Sequence, residues 1–341
     1  MKKGIFSYVT IGMVILALAA GLILANSKSS SAADKVIKLR YQGKWEGHEK
    51  QNWAAEQLKF ADRVKAATNG RVIIENMDEV ARDNEVVDSV RKGIIDMGAQ
   101  ALHARGELAL VNFITLPFVD FEKMPEIYSK LTPTLDAWWD KQFGVKQMGY
   151  NFFLPAAIFT SKPATTLDDL KGMKIRIGGT ILVDLFKRAG CNPVVMNNAD
   201  VYPALQRGMI DGGHTALPAY VGAGWYEICK YMSKWPVGSM GLAVIMNKDS
   251  WNKLGPELQR QVMAAWRETE KAQFEGIHKD IGVLEKVAFK DNAKWANPSQ
   301  AEKDKLLSYM GPVLEDWKKK TGPVSEEVLK AINEVEGTNY H

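Results

Sequence analysis

The sequence predicts an α/β protein of two lobes, and three observations support this prediction. The chain has 341 residues, which suggests about two domains at roughly 100–200 residues each. Strand-like and helix-like segments alternate, as they do in parallel sheets that are covered by helices. A short internal repeat places the same turn in two parts of the chain, about 115 residues apart.

The alternating segments follow from side-chain periodicity. Residues 36–41 alternate in polarity like a strand, and in residues 49–68 apolar side chains recur at helical spacing. Gly70 ends this helix, because glycine adopts the left-handed C-terminal conformation without steric hindrance. By the same criteria, strands are predicted at 72–74, 174–177 and 193–196, and helices at 87–93, 180–189 and 200–207.

The C-terminal part is predicted to be helical. From Pro256 to about Asn292 the chain is charged and helix-favouring, with no proline after the first residue, which indicates one long helix or two in series. Ser299 and Ser325 are predicted to cap the two helices that follow, since serine side chains accept hydrogen bonds from first-turn N–H groups.

The internal repeat joins Val90–Gly98 and Leu205–Gly213. Each stretch contains a helix end, a glycine, two apolar residues, an aspartate and a small loop residue. One such turn is common in any α/β protein. Two turns in corresponding places favour two lobes with similar connections.

Composition and charge narrow the classes of function. Apolar residues make up 46% and charged residues 25%, as in globular proteins, which excludes a disordered or collagen-like chain. The net charge of +4 includes three lysines in the first 33 positions, which hold no acid, so the rest of the chain carries only +1. A nucleic-acid partner is therefore not expected.

The N-terminus has the three parts of a secretory signal peptide. Positive charge at Lys2 and Lys3 precedes an apolar run from Ile5 to Ala25, and Ser31–Ala33 forms a small-x-small cleavage site. An uncleaved membrane anchor is the alternative, because the run is long enough to span a bilayer. We favour a cleaved signal peptide over residues 1–33 and a periplasmic protein.

The two cysteines, Cys191 and Cys229, have two interpretations. In an exported protein they could form a disulfide, or they could be small buried apolar side chains. Nothing in their spacing favours a bridge, so free thiols are expected.

The sequence lacks the local motifs of an enzyme or a metal centre. His48-Glu49 begins like a zinc-binding helix, but position 52 is asparagine. Gly238–Gly241 lacks the spacing of a nucleophile elbow, and Gly222–Gly224 lacks the third glycine of a dinucleotide fingerprint. We expect no metal, no cofactor and no enzymatic activity. An exported α/β enzyme stays an alternative, because catalytic carboxylates need no local motif.

Arg176 is the clearest candidate for ligand binding. It lies near the end of an apolar strand, before Gly178-Gly179 and a predicted helix start. Ligands of open α/β sheets bind beyond the carboxyl ends of strands, and a helix N-terminus favours an anion there. A guanidinium can hold a carboxylate by two parallel hydrogen bonds. The alternative is an ordinary surface or ion-paired arginine.

Five segments occur in an order and spacing that resemble one family. They are Asn69–Val72, Val90–Asp96, Leu116–Phe118, Leu170–Arg176 and Asp200–Gly212. Together they resemble the periplasmic solute-binding component of a TRAP transporter (tripartite ATP-independent periplasmic), of the type that receives dicarboxylates or sialic acid. The resemblance covers nearly the whole chain after the signal peptide.

The resemblance implies the two-lobe periplasmic binding protein fold, with mixed sheets flanked by helices, a hinge and a long helix that spans both lobes. Lobe I is expected to comprise residues 34–154 and about 242–285. Lobe II is expected to comprise about 155–241 and 286–341, with the C-terminal helices. The protein would deliver a small organic acid to a TRAP membrane permease, its only contact with the membrane. An ABC-transporter receptor, which shares the two-lobe plan, is the alternative.

The resemblance also implies that Arg176 holds the ligand carboxylate. The other expected ligand-binding residues are Trp45, Gln100, Asn198, Thr215 and Trp235, with Gln42, Glu46, His103 and His214 as weaker candidates. Thr215 is nearest to the place where many relatives carry an asparagine. A second arginine of sialic-acid receptors is missing from Ala156–Ile158. These departures favour a smaller or more apolar acid than sialic acid.

We expect the exported protein to begin near Asp34, because Ala33 completes the cleavage site. N-terminal sequencing of the processed protein measures this. A membrane-bound product that keeps residues 1–33 would show that the segment is an anchor.

Overall fold

A computed structural model describes residues 36–43 and 51–340, except for the side chains of residues 152–155. The predicted signal peptide lies outside these residues, as do Trp45 and Glu46. The chain divides into a short N-terminal unit, Met1–Ile37, and a compact unit, Lys38–His341. Within the described ranges, none of the helices combines the length and apolar character that a membrane crossing requires.

Strands and helices alternate along the described chain. The strands are β1 (Ile37–Gln42), β2 (Val72–Met77), β3 (Met97–Ala101), β4 (Val145–Thr160), β5 (Lys174–Arg176), β6 (Asn192–Val194), β7 (Gly212–Ala216), β8 (Tyr231–Ser233), β9 (Ser239–Asn247) and β10 (Lys294–Trp295). The first six α-helices are α1 (Asn52–Leu58), α2 (Phe60–Ala67), α3 (Val86–Arg91), α4 (Met124–Phe143), α5 (Leu167–Leu170) and α6 (Thr180–Arg188). They are followed by α7 (Asn198–Gln206), α8 (Leu217–Gly222), α9 (Lys248–Lys290), α10 (Gln300–Leu307), α11 (Met310–Thr321) and α12 (Val324–Glu336).

The strands form two mixed sheets that share the long strand β4. Lobe I contains the sheet β2-β1-β3-β9-β4, and lobe II contains the sheet β4-β7-β5-β6, to which β8 and β10 add. β4 pairs with β9 as far as Pro155 and with β7 from Ala156 onward. The predicted two-lobe α/β architecture is confirmed. The exchange of partners on β4 supports the predicted lobe boundary near residue 155, and the exact boundaries stay a prediction.

The internal repeat corresponds to the same aspartate contact in each lobe. Asp96 Oδ2 accepts a hydrogen bond from the backbone N–H of Arg40 at 2.9 Å. Asp211 Oδ2 accepts one from the backbone N–H of Lys174 at 2.8 Å. Each aspartate N–H donates back to the carbonyl of the same partner residue. The order β2-β1-β3-β9 in lobe I therefore matches β6-β5-β7-β4 in lobe II.

Some local predictions differ from the structure. The helix predicted over 49–68 is two helices that meet at Lys59. Ser299 caps α10 as predicted, accepting from the N–H of Glu302 at 3.3 Å. Ser325 is not a cap, because Pro323 occupies that position; the serine hydroxyl in the first turn donates to Gly322 O at 2.6 Å.

Two further details concern the cysteines and the C-terminal helices. Cys191 and Cys229 are buried free thiols, and burial raises the pKa of Cys191 to about 11 and that of Cys229 to about 12. The C-terminal helices, which the resemblance places in lobe II, contact both lobes, since α11 packs against α6 and α12 packs against α4.

The long helix α9 is interrupted at Gly255, where φ and ψ are 68° and 166°, and its part from Pro256 onward, predicted as one long helix or two in series, is continuous. This helix connects the two lobes. It packs against α1, α2 and β4 and also against α8 of lobe II. Asp280 on α9 accepts hydrogen bonds from the backbone N–H groups of Asn52 and Trp53, at 3.0 and 3.2 Å. A Cβ at Gly276 would lie 3.1 Å from the backbone of the same two residues, so the helix and the start of α1 approach closely. The long helix therefore fixes where Trp53 lies.

Glu270 joins α9 to β4, the strand that connects the lobes. Its Oε1 accepts a hydrogen bond from the backbone N–H of Tyr150 at 2.7 Å, next to an irregularity between Gln147 and Gly149. A Cβ at Gly149 would lie 2.3 Å from Nε1 of Trp266, so only glycine lets the helix come this close. Burial raises the pKa of the Glu270 carboxyl to about 7, because the charged form loses its hydration.

We expect Glu270→Gln to weaken a pH dependence of stability between about pH 4.5 and pH 7. The pKa of this carboxyl rises on folding from 4.5 to about 7, so the folded state binds the proton more tightly. The free energy of unfolding of the wild type therefore falls as pH rises through this interval. Glutamine keeps an acceptor for the Tyr150 N–H but does not titrate.

Urea unfolding at pH 4.5 and pH 7.5 measures this difference. Glu275→Gln, at an exposed position of the same helix, is the control and should keep the wild-type fall. An equal fall in wild type and Glu270→Gln would contradict the assignment.

Candidate ligand-binding site

A cavity lies between the lobes, where side chains of both lobes converge. Its volume is about 80 Å³. A single water molecule requires roughly 10–15 Å³ on this measure, so the cavity holds roughly five to eight water-sized groups. The walls include Trp53, Ala101, His103, Met240 and Leu242 from lobe I and Arg176, Asn198, Thr215, Ala216 and Pro218 from lobe II. A second cavity of about 220 Å³ adjoins it and shares Arg176 and His103.

Arg176 is the last residue of β5 and is 2% exposed. Its guanidinium donates from Nε to Met196 O at 3.3 Å, from Nη1 to His214 O at 3.1 Å and from Nη2 to His103 Nε2 at 3.2 Å. A guanidinium has five N–H groups. Two of them, one on each Nη, therefore have no protein partner in the described part of the chain. This pair matches the two oxygens of a carboxylate.

The charge of Arg176 attracts an anion to the cavity. Within residues 36–43 and 51–340 the guanidinium forms no salt bridge, and its three hydrogen-bond partners are uncharged. Burial lowers the pKa of Arg176 to about 10, an effect that the charge of Asp83 opposes. The group therefore stays protonated at neutral pH. A buried cation is unfavourable unless it is paired, so a bound anion would stabilise it.

Two histidines adjoin Arg176 and differ in their roles. A guanidinium can only donate, so His103 accepts at Nε2, and its ring is neutral with the proton on Nδ1. His214 offers its backbone carbonyl, while neither nitrogen of its buried ring has a hydrogen-bond partner in the described structure. Burial, with the charge of Arg176, lowers the pKa of His214 to about 3, so this ring is neutral as well.

Three of the predicted residues lie around the cavity with Arg176. They are Asn198, Thr215 and His103. Asn198 is the first residue of α7. In the sheet Arg176 pairs with Gly213, so Thr215, two residues further on, lies on the same face as the arginine. The sheet register thus places the Thr215 hydroxyl on the same side of the sheet as the Arg176 guanidinium, as predicted for two residues of one binding site.

Gln42 and Gln100 do not line this cavity, contrary to our expectation. Each lies at the end of its strand and uses its amide to hold the loop that precedes α3. Gln42 donates to Ala81 O at 2.7 Å, and Gln100 donates to Asp83 O at 2.6 Å. Both amide oxygens also accept from backbone N–H groups. These glutamines position the loop that carries Asp83.

Trp235 and the His214 imidazole also lie away from the cavity. The Trp235 indole donates to Ala164 O at 2.9 Å and lines a separate cavity of about 360 Å³. His214 points to the opposite face of β7 from Thr215, because side chains alternate along a strand.

Sequence reasoning missed several residues of the cavity wall. Trp53 falls within the predicted helix over residues 49–68, and it lies in the first turn of the helix after β1. Asp83 and the start of α8 were missed too, together with Met240–Leu242 on β9. The rule that ligands bind beyond the strand ends could have indicated Trp53. The remaining wall residues come from distant parts of the chain, and only the folded structure shows that they lie together.

The family follows from comparison with known proteins. Residues 45–321 match bacterial extracellular solute-binding proteins of family 7. The chain belongs to this family. Among its relatives is the C4-dicarboxylate-binding periplasmic protein DctP of Rhodobacter capsulatus, 27% identical over 295 residues that cover 80% of this chain and 84% of the relative.

Solved structures of extracytoplasmic solute receptors share the fold. An extracytoplasmic solute receptor of Bordetella pertussis that binds pyroglutamic acid superposes with a TM-score of 0.79 at 23% identity, over 87% of this chain and 100% of that one. A TRAP periplasmic solute-binding protein of Desulfovibrio salexigens with bound orotic acid gives 0.80 at 22% identity, over 88% and 98%. The resemblance to TRAP solute-binding components is confirmed, and the chain is a solute receptor of this type.

We expect ligand-free Arg176→Met to keep its fold and to melt within about 3 °C of the wild type. The hydrogen bonds that Arg176 makes to backbone carbonyls are lost, but the unfavourable burial of an unpaired charge is removed, and the two effects oppose each other. Thermal melts followed by circular dichroism measure this. A fall of many degrees would show instead that Arg176 has a structural role.

Proposed function

We propose that this receptor binds a small organic acid and that Arg176 holds the acid's carboxylate. The observation that carries the proposal is the pair of N–H groups on the two Nη atoms, which have no protein partner among the described residues. The guanidinium is buried and charged, so the carboxylate would pair with it in a site from which water is largely excluded.

The remaining walls favour a compact acid with an apolar body. Trp53, Ala101, Pro218, Met240 and Leu242 supply apolar surface around the cavity. Arg176 is the only cationic side chain among the described residues of this wall. A second carboxylate would therefore lose hydration without a cationic partner, and the carboxyl group of Asp83 in the same wall would repel it. Pyroglutamate and orotate, the acids bound by the two structural neighbours above, are compact rings that carry a single carboxylate each.

We further propose a periplasmic receptor that passes its ligand unchanged to a TRAP membrane permease. The proposed export signal and the family support this place in transport. Recovery of the intact acid after incubation would separate a receptor from an enzyme that uses the same cleft.

We expect Arg176→Ala to bind a cognate acid about 30- to 4,000-fold more weakly than the wild type. Removing one partner of a buried, hydrogen-bonded charge pair costs about 2–5 kcal/mol, and each 1.4 kcal/mol is about tenfold in affinity. Arg176→Lys should also lose affinity, because one ammonium cannot reproduce the planar pair of donors. Arg260→Ala, at an exposed position on α9, is the control.

Calorimetric titration with L-pyroglutamate, orotate and succinate tests the proposal. We expect a compact ring acid to bind more tightly than succinate, whose second carboxylate has no cationic partner in the described wall. Binding by Arg176→Ala within about threefold of the wild type would exclude Arg176 as the anchor. Tighter binding of succinate than of both ring acids would contradict the proposal that the site takes a compact acid with a single carboxylate.

A further inference from the structure

Beside Arg176 the two lobes touch at a pair of glycines. Gly178 and Gly179 form the glycine turn, which connects β5 to α6 in lobe II. Lobe I places His103, which follows β3, against Gly178, and Asn112 against Gly179. A Cβ added to Gly178 would lie 2.9 Å from His103 Cδ2 and 3.2 Å from His103 Cβ. A Cβ added to Gly179 would lie 2.1 Å from Asn112 Nδ2, so neither position has room for a side chain.

The two side chains of lobe I have little freedom to move aside. The His103 ring lies between Gly178 and the guanidinium of Arg176, to which it is hydrogen-bonded at 3.2 Å. Asn112 is 2% exposed and therefore enclosed by its neighbours. Packed groups of this kind resist even one added methyl, so a side chain on the glycine turn would separate the lobes or distort the contact.

We propose that the glycine turn is the surface on which lobe I rests when the cleft is closed, and that the missing side chain at Gly178 determines how tightly the receptor holds its ligand. The proposal rests on the proposed function, since closure affects affinity only if the cleft receives a ligand.

His103 links this contact to the anion anchor. The same ring touches Gly178 and accepts the hydrogen bond from Nη2 of Arg176. This hydrogen bond joins the lobes, because the histidine belongs to lobe I and the arginine to lobe II. When the lobes meet at the glycine turn, Nη2 therefore gains a fixed partner that orients the guanidinium. Gly178 is a positioning residue, which acts on the ligand through His103 and Arg176.

Gly178→Ala is the informative substitution. The backbone at Gly178 is not in the left-handed region, so alanine adds a methyl without backbone strain. A substitution at Gly179 is less informative, because φ there is +89° and a side chain would add backbone strain to the steric clash. Gly106→Ala is the matched control, because Gly106 is another glycine without a positive φ, and nothing lies within 4 Å of an added Cβ.

Distances between spin labels on the two lobes report closure directly. Labels on cysteines placed at the exposed Lys65 of α2 and Lys187 of α6 are measured by pulsed electron resonance, without ligand and with saturating L-pyroglutamate. The natural thiols Cys191 and Cys229 are buried, and their raised pKa values keep them unreactive toward the labelling reagent. Affinity for L-pyroglutamate and the melting temperature of the ligand-free protein are measured beside the distances.

We expect wild type and Gly106→Ala to share a short-distance population that Gly178→Ala loses. Gly178→Ala should bind L-pyroglutamate about tenfold or more weakly than the wild type does. This factor corresponds to the usual free-energy cost of adding a methyl group to a well-packed contact. Its ligand-free melting temperature should match that of the wild type, whereas a merely structural role would lower it.

Equal distance distributions in Gly178→Ala and wild type, without and with L-pyroglutamate, would overturn the proposal, whatever the affinities. If the wild type does not bind L-pyroglutamate, the same distances are measured with orotate, and equal distributions of Gly178→Ala and a wild type that binds the acid overturn the proposal. If Gly178→Ala has a lower melting temperature than the wild type, the double variant Gly178→Ala/His103→Ala distinguishes a steric effect from unfolding. It removes the His103 ring, whose Cδ2 would lie 2.9 Å from the added Cβ. A restored short-distance population then supports the proposal, and its absence overturns it.

Discussion

A buried positive charge without an ion-pair partner in the described structure is the constraint on which the site depends. Arg176 lies at the end of β5, and its donors are shared between carbonyls of lobe II and a histidine of lobe I. Such a charge is tolerated in a folded protein when neighbouring dipoles solvate it and when a bound anion pairs with it. Ligand binding and the stability of the closed site are therefore two aspects of one electrostatic requirement.

The two lobes are built alike and are joined by shared elements. Each lobe has the same strand order and the same aspartate contact, at Asp96 and Asp211. Two elements connect the lobes: β4 belongs to both sheets, and α9 packs on both lobes. Glu270 attaches the helix to that strand, so bending of one affects the other.

The two walls of the cleft contribute differently to recognition. Lobe II supplies the cation Arg176 with Asn198 and Thr215, whereas lobe I supplies apolar surface, the neutral ring of His103 and the carboxyl group of Asp83. A ligand that fits both would favour the closed arrangement by its difference in affinity for the two states. Our proposal for the glycine turn assigns part of that difference to backbone geometry, since His103 of lobe I lies directly against Gly178 of lobe II.

The sequence by itself determined the elements with local or periodic signals. The alternation of strands and helices, the repeated aspartate turn, the long helix after Pro256 and the position of Arg176 before two glycines all follow from neighbouring residues. The resemblance to TRAP receptors supplied the two-lobe plan. By contrast, only the tertiary structure decided which polar side chains face the cleft. Gln42 and Gln100 stand at strand ends like ligand-binding residues, yet distant backbone groups engage their amides. Trp53, Asp83 and the contact of His103 with Gly178 depend on how α9 and the two lobes pack, because contacts between residues far apart in the chain leave no periodic signal in the sequence.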